Sequence, residues 1–376
     1  MTQRLLLVGG GHAHLGVLDA LGRAPLLGAD GKPWELTLLS PYERQIYSGM
    51  LPGWIAGHYR LEQCAIPLRP LAQRAGGRYL QDQAVGIDLN ERRVLTAAGA
   101  ALPFDLVALD IGPAPDLEAI PGTREHAIPL RPIENFIVAW QRLQPRLAAA
   151  RVPTTVSVIG GGAGGVEIAL ALAWRLRAAQ PRATVQLICG RPGLLPSLPP
   201  AGAERIARCL HRQGIAAYLE DAVAVEAAAV RLKDGAVLKT DATLVAIGAA
   251  AATWPGAAGL AVDGRGFIAV NEHLQSTSHP FLFAAGDCAT MLDQPRPKSG
   301  VYAVRAGPPL TANLRRAAAG QPLAPYRPQR RALYLLSTGG RHAIGLWGRL
   351  AFAGDWVWRW KDRIDRRFMA KYGASS

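Results

Sequence analysis

Three short runs of residues in this chain have the types and spacing to do chemistry. Val8-Gly9-Gly10-Gly11-His12-Ala13-His14 opens it, and Ile159-Gly160-Gly161-Gly162-Ala163-Gly164-Gly165 lies near its middle. The third is Thr277-Ser278-His279-Pro280-Phe281-Leu282-Phe283-Ala284-Ala285-Gly286-Asp287. Glycines in such loops let the backbone come within hydrogen-bonding distance of phosphate oxygens. The free N–H groups of a following helix, with their partial positive charge, then bind the pyrophosphate. One loop alone is a weak signal. Two loops and a closing Gly-Asp point to a chain that holds two dinucleotides face to face and passes electrons between them.

Each loop needs a strand before it and a helix after it, and the flanking sequence predicts both. Arg4 to Val8 is a tight apolar strand, Leu15 to Leu21 has helical spacing, and Glu35 to Leu39 is the next strand: a β-α-β unit. Here His14 replaces the third glycine, and Ser40-Pro41 stands where a carboxylate usually meets the ribose. His12 and His14 can be mechanistic, but packing against strand and helix is the favoured role for each. The second unit fills all three positions with Gly160, Gly162 and Gly165, between strands Thr155 to Ile159 and Ala183 to Ile188 and with a helix from Val166 to Leu176. Its second strand ends in Cys189-Gly190-Arg191. Arg191 can pair with a 2′-phosphate, which favours NADPH, or simply be solvated. Phe104 to Gly112 and Thr243 to Gly248 are matching apolar strands that end in a glycine, so the halves read as an internal duplication.

The bulk properties fit that architecture. A chain of 376 residues has room for two domains and a small extension, and 49% hydrophobic residues with 41 glycines and 28 prolines describe a well-cored, turn-rich α/β protein. A formal net charge of +14 favours anionic partners. No zinc spacing, basic zipper or aromatic RNA motif accompanies it, so no nucleic-acid partner is expected and acidic lipid ranks ahead. Met1 to Gly11 is a strand and turn, not a secretory leader. The uncharged stretch from Ala242 to Val262 is too rich in Ala, Gly and Pro for a membrane span. Cys64, Cys189, Cys209 and Cys288 form no close pair, which leaves no metal-ligand pattern and no obvious redox disulfide.

Together these motifs resemble the pyridine nucleotide–disulfide oxidoreductase superfamily of flavoproteins, within it the branch of type II NADH dehydrogenases and sulfide:quinone oxidoreductases. Gly9 to His14, Ser40-Pro41-Tyr42 and Gln45 to Gly53 look most like the flavoprotein module often fused in front of selenide, water dikinase. The likeness runs from residue 4 to about residue 372. It implies FAD on Gly9, Gly11, His12, Ala13, His14, Ser40, Arg44, Gly112, Gly286 and Asp287, with Asp287 on the ribityl chain. A helix starting near Val301 would turn its positive end to the flavin N1–C2=O edge. NADH or NADPH, the electron donor, falls to Gly160, Gly162, Gly165, Glu167, Arg191 and Gly248. Glu167 matches a glutamate that type II dehydrogenases keep near the two reacting rings, or is an ordinary first-turn carboxylate favoured by the helix dipole. Glu167, Tyr302 and Arg305 are the residues expected at the reacting centre. The disulfide reductases' cysteine pair is absent, and Val301 and Arg305 replace two glutamines of the type II quinone site.

At the C-terminus, Trp356, Trp360, Ile364, Phe368 and Tyr372 recur at every fourth residue, one apolar stripe on a helix. Arg359, Lys361, Arg363, Arg366, Arg367 and Lys371 outnumber Asp355, Asp362 and Asp365 around it, the composition of an interfacial helix. Packing on the protein's own core or in a homodimer is the alternative.

The expected fold is α/β, with two Rossmann-like three-layer domains, the second inserted into the first, and a C-terminal amphipathic extension. Residues 1–115 and 265–325 form the FAD domain, 116–264 the NAD(P)H domain, and 326–376 the membrane- or partner-facing segment. The expected activity is an FAD-dependent NAD(P)H dehydrogenase delivering electrons to a quinone, cytoplasmic and peripheral on the inner face of the cell membrane. The open alternatives are a soluble flavin reductase for a sulfur or selenium species or an electron-carrier protein, and a flavoprotein partner of a selenide kinase.

Overall fold

A computed structural model describes residues 2–180 and 182–373. Along the chain, β1 (Arg4–Val8) runs through the first glycine turn into α1 (His12–Arg23), followed by β2 (Glu35–Ser40), β3 (Arg78–Gln81) and β4 (Leu106–Leu109). The middle holds β5 (Ala127–Pro129), α2 (Ile133–Ala149), β6 (Thr155–Ile159), α3 (Ala163–Ala179), β7 (Thr184–Ile188), β8 (Ala216–Tyr218) and β9 (Ala242–Val245). Then come β10 (Leu282–Ala284) and α4 (Gly300–Ala318). A hairpin sheet of β11 (Leu333–Ser337), β12 (Ala343–Trp347) and β13 (Leu350–Gly354) leads into α5 (Asp355–Lys371).

Two five-stranded sheets result, in the orders β10-β4-β1-β2-β3 and β5-β9-β6-β7-β8, and every neighbouring pair is parallel. Parallel strands are covered on both faces, which is why β1 and β4 read as unbroken apolar runs and bury almost completely. Superposed position by position, β1, β2, β3, β4 and β10 correspond to β6, β7, β8, β9 and β5. Because β10 follows the second sheet in sequence but joins the first, the second unit is threaded into the first.

Both glycine turns have the same geometry. Gly9 (φ +93°) and Gly160 (φ +135°) adopt left-handed conformations. A Cβ on either would lie 2.3 Å from the Asp110 carbonyl oxygen or 2.5 Å from that of Ala246. A second close approach fixes α1 against α4: a Cβ at Gly307 would stand 3.0 Å from Ala13 O and 3.4 Å from Gly16 Cα. Only helices without side chains there can pack so closely.

The C-terminal helix departs from the single stripe expected. Its buried face is Val357, Lys361, Asp365 and Met369, one residue round from the aromatics. Lys361 and Asp365, counted from sequence among the surface charges, are buried at 8% and 3% exposure. They satisfy each other: Lys361 Nζ donates to Asp365 Oδ2 and to Gly49 O, each at 2.6 Å. The stripe itself is divided. Trp356 and Trp360 are 54% and 39% exposed, whereas Phe368 stacks on Tyr47 with centroids 4.5 Å apart and Tyr372 is buried.

Gly307→Val should force α1 and α4 apart and cost about 1–3 kcal/mol, as overpacking of a close contact does. Urea or thermal denaturation reads this directly, and an unchanged midpoint would contradict the close packing.

Candidate functional site

A cleft of about 510 Å³ opens at the carboxyl ends of the first sheet, lined by the first glycine loop, Ser40, Arg44, Gly112, Asp287 and the start of α4. That is where an open α/β sheet binds a ligand, and the volume suits a cofactor. His12 lines it with an Nε2 that is buried and lacks a hydrogen-bond partner. Burial, with Arg131 adding to it, drives the His12 pKa down to about 4, so the ring is a neutral donor or acceptor at physiological pH. Gly112 (φ +69°) faces open space. These features fit a bound dinucleotide.

Several residues expected to hold the cofactor are held by the protein instead. His14 is fully buried, its Nδ1 lies 2.7 Å from Gly9 O, and its pKa falls to about 4 through burial. The N–H groups of Ala13 and His14 both donate to Asp110 Oδ2, at 2.8 and 3.1 Å. Ala13 and His14 therefore stand behind the loop and outside the cleft lining. Ser40 does line it and closes a turn with the Tyr42 carbonyl. Arg44 lines it too, but its guanidinium forms two hydrogen bonds with Glu134 of α2, at 2.9 and 3.0 Å, which joins the first unit to the second. Gly286 (φ +73°) presents Asp287, whose carboxylate is 3.5 Å from Arg131. Gly300 and Ala303 of α4 reach the cleft, and Val301 is not in its lining.

The second loop is emptier. A Cβ on Gly162 would touch nothing within 4 Å, whereas one on Gly165 would lie 2.0 Å from Gly160 O. Gly162 thus faces free space, and Gly165 packs helix on turn. Gly248 is likewise unobstructed. Arg191 is engaged by Asp221, which accepts its backbone N–H and its Nε–H, both at 3.0 Å.

Glu167 is the fifth residue of α3, past the first turn expected for it, and accepts the Ser337 N–H of β11 at 2.7 Å. Burial raises its pKa to about 7, Lys361 and the Ser337 N–H oppose the rise, and Asp365 adds to it. Tyr47, with its pKa raised by burial and by the charge of nearby Asp365, belongs to the same cluster. Tyr302 lines a small cavity beside Asp287 and Lys298. Arg305 is exposed and lines a different groove, with Tyr326 and Lys371. Tyr302 and Arg305 thus line different cavities.

Asp110, Arg131, Glu134, Asp221, Lys361 and Asp365 were not singled out from sequence. Only Asp110 carried a local signal, as a carboxylate ending the apolar run Leu106–Leu109 where its counterpart in the second half is Ala246. The others come from loops and two helices whose register to the cleft is tertiary. All four cysteines are unpaired, and Cys288, raised to about 12 by burial, donates to Leu109 O and Ala285 O.

Residues 3–307 match the family model described as pyridine nucleotide-disulphide oxidoreductase. The demethylphylloquinone reductase NdbB of Synechocystis is 25% identical over 294 residues, 76% of this chain and 72% of that protein. Among solved structures, the sulfide:quinone oxidoreductase of Aquifex aeolicus aligns with a TM-score of 0.81 at 18% identity, over 99% of this chain and 91% of that one. NDH2 of Plasmodium falciparum, solved with NADH, aligns with a TM-score of 0.74 at 14% identity, over 100% and 99%. At those identities the two structures speak for the fold.

Asp287→Ala should remove a charge-assisted hydrogen bond to the flavin, worth roughly 1.5–3 kcal/mol, and lower FAD occupancy in the purified protein. Undiminished flavin absorbance per chain would remove Asp287 from the site.

Proposed function

Because the chain belongs to the pyridine nucleotide–disulphide oxidoreductase family, and so binds FAD and takes its electrons from NAD(P)H, we propose that it reduces a quinone at a membrane surface. The observation that carries the acceptor side is an exposed aromatic patch. Phe352 of β13 stacks on Trp356 of α5 with centroids 5.4 Å apart, and Trp356 on Trp360 at 6.5 Å, with Leu350 and Ile364 exposed beside them. Arg359, Arg363 and Arg367 are on the same helix. Stacked tryptophans bounded by arginines suit the headgroup layer of an anionic bilayer. No helix among the described residues is long and apolar enough to cross a membrane. The same helix continues to Phe368, which stacks on Tyr47 and lies near His12 of the cleft, so the patch and the flavin site share one element. The NdbB relative is named for reduction of a quinone, which agrees with this reading.

FAD supplies the redox chemistry, accepting a hydride from the nicotinamide and returning electrons to the acceptor. The chain supplies placement and charge. Gly162 leaves the α3 N-terminus open to a dinucleotide, and Asp287 with Arg131 sets the charge at the flavin end of the cleft. Glu167, with a pKa of about 7, can hold or release a proton near neutrality. Engagement of Arg191 by Asp221 offsets the cation a 2′-phosphate would need, which supports NADH as the donor.

Anaerobic reduction of the flavin by NADH and by NADPH, then reoxidation by a quinone, tests the reading. Gly162→Val should retain FAD and lose reduction by either nucleotide, because its side chain has room in the fold but occupies the phosphate approach. Asp221→Asn should raise the relative rate with NADPH. A flavin reduced by dithionite but by neither nucleotide would end the proposal.

Deleting α5 would not isolate membrane contact, since its other face is core. Trp356→Ser with Trp360→Ser changes only exposed rings. That variant should bind anionic liposomes more weakly and reduce long-tailed quinone more slowly, with FAD content and reduction of a soluble acceptor unchanged. Equal liposome binding, or a change from dimer to monomer, would reassign the patch.

A further inference from the structure

Duplication gives this protein an internal comparison, and the two loops differ at one buried position. In the second half Gly162 is the N-cap of α3, no side chain caps it, and Ala246 follows β9. In the first half Gly11 is the N-cap of α1, equally without a side chain, but Asp110 follows β4 and inserts its carboxyl from the neighbouring strand. Asp110 Oδ2 takes the N–H groups of Ala13 and His14. Oδ1 has no hydrogen-bond partner among the described residues. Cβ atoms at Gly11 and Gly286 would lie 2.2 and 2.3 Å from it, so both glycines are needed to admit it. Asp110 lines the same cleft as Gly9, Gly10 and Gly11.

A carboxylate therefore occupies the helix end that a Rossmann loop offers to a pyrophosphate, and two anions compete for one anion site. We propose that Asp110 takes up one proton when FAD binds, so that a carboxylic acid, not a carboxylate, stands beside the dinucleotide. Protonation removes the repulsion and turns an acceptor into a donor facing the cleft.

The surroundings agree. Burial lifts the Asp110 pKa to about 7, against the N–H bonds from His14 and Ala13 and with some help from Asp287. A phosphate placed nearby can only raise it further. The other groups around it leave this step to Asp110. His12 and His14 on α1, with pKa values near 4, stay neutral, and Cys288, near 12, stays a thiol. Asp287 is raised by burial, but Arg131 and Lys298 both oppose the rise. The sign follows: where the free carboxyl ionises and the bound one stays protonated, binding consumes a proton and weakens as pH rises.

FAD release from the full-length holoprotein on dilution, read by fluorescence of the freed flavin, tests this between roughly pH 6 and pH 9. In the wild type the dissociation constant should be flat below about pH 7 and rise above it by up to about tenfold per pH unit. Asp110→Asn keeps an acceptor for the two N–H groups and removes the titration, so its profile should be flat. A flat wild-type profile, or the same slope in Asp110→Asn, overturns the proposal. Should that variant not fold, calorimetry of FAD binding to wild-type protein in buffers of different ionisation enthalpy decides. Close to one proton taken up per flavin at about pH 8 supports the linkage, and none refutes it.

Discussion

The whole molecule depends on two backbone turns pressed against the ends of neighbouring strands. At Gly9 and at Gly160 no Cβ fits between the turn and the carbonyl of the next strand. That contact fixes the height at which α1 and α3 begin, and with it the direction in which their N–H groups point. Parallel pairing of β4 and β9 with the loop-bearing strands brings Asp110 and Ala246 to those helix ends. The two sites inherit a common frame, and their chemistry differs through the side chains hung on it.

Charge is handled differently inside and outside. The +14 balance is a surface property, but the site is built from carboxyls that have lost water: Asp110, Glu167 and Asp287, each with a raised pKa and each beside a specific partner. Lys361 and Asp365 add a buried pair under α5. Such a pair contributes little net stability, but loss of one member leaves a charge without compensation. Its value is in register, since Lys361 also binds Gly49 O and so sets where α5 meets the first unit.

Much of this was legible in the sequence because period and punctuation are local. Apolar runs gave the three central strands of each sheet but not the edges β3, β5, β8 and β10, and the boundaries moved by only a few residues: the helix expected over Leu15 to Leu21 spans His12–Arg23. Of the residues expected at the site, Gly11 and Asp287 line the cleft and Gly162 faces open space. What failed was rotation and partnership. Every-fourth-residue spacing from Trp356 marks one face of α5, but Val357 to Met369 has the same spacing and is the buried face. Lys361 and Asp365 look like solvated charges until the contact of Lys361 with Gly49 is known. Arg44 and Arg191 kept their positions but found Glu134 and Asp221 across long stretches of chain.

Nesting one sheet inside the other also inverts the order of assembly on the ribosome. β1 is made first, yet its sheet lacks the β10 edge until Leu282–Ala284 has been synthesised, whereas the second sheet is complete at β9. The inner sheet can pair fully while the outer one still exposes the unpaired edge of β4, and Leu336, Ile344 and Leu346 of the C-terminal hairpin join the inner core later. Non-local pairing of this kind is slow, and open edges invite association. His12 of the cleft waits longer still for its neighbour Phe368, which lies in α5. The unit begun first is the last to be finished, since Met369 and Tyr372 of the C-terminal segment belong to its core.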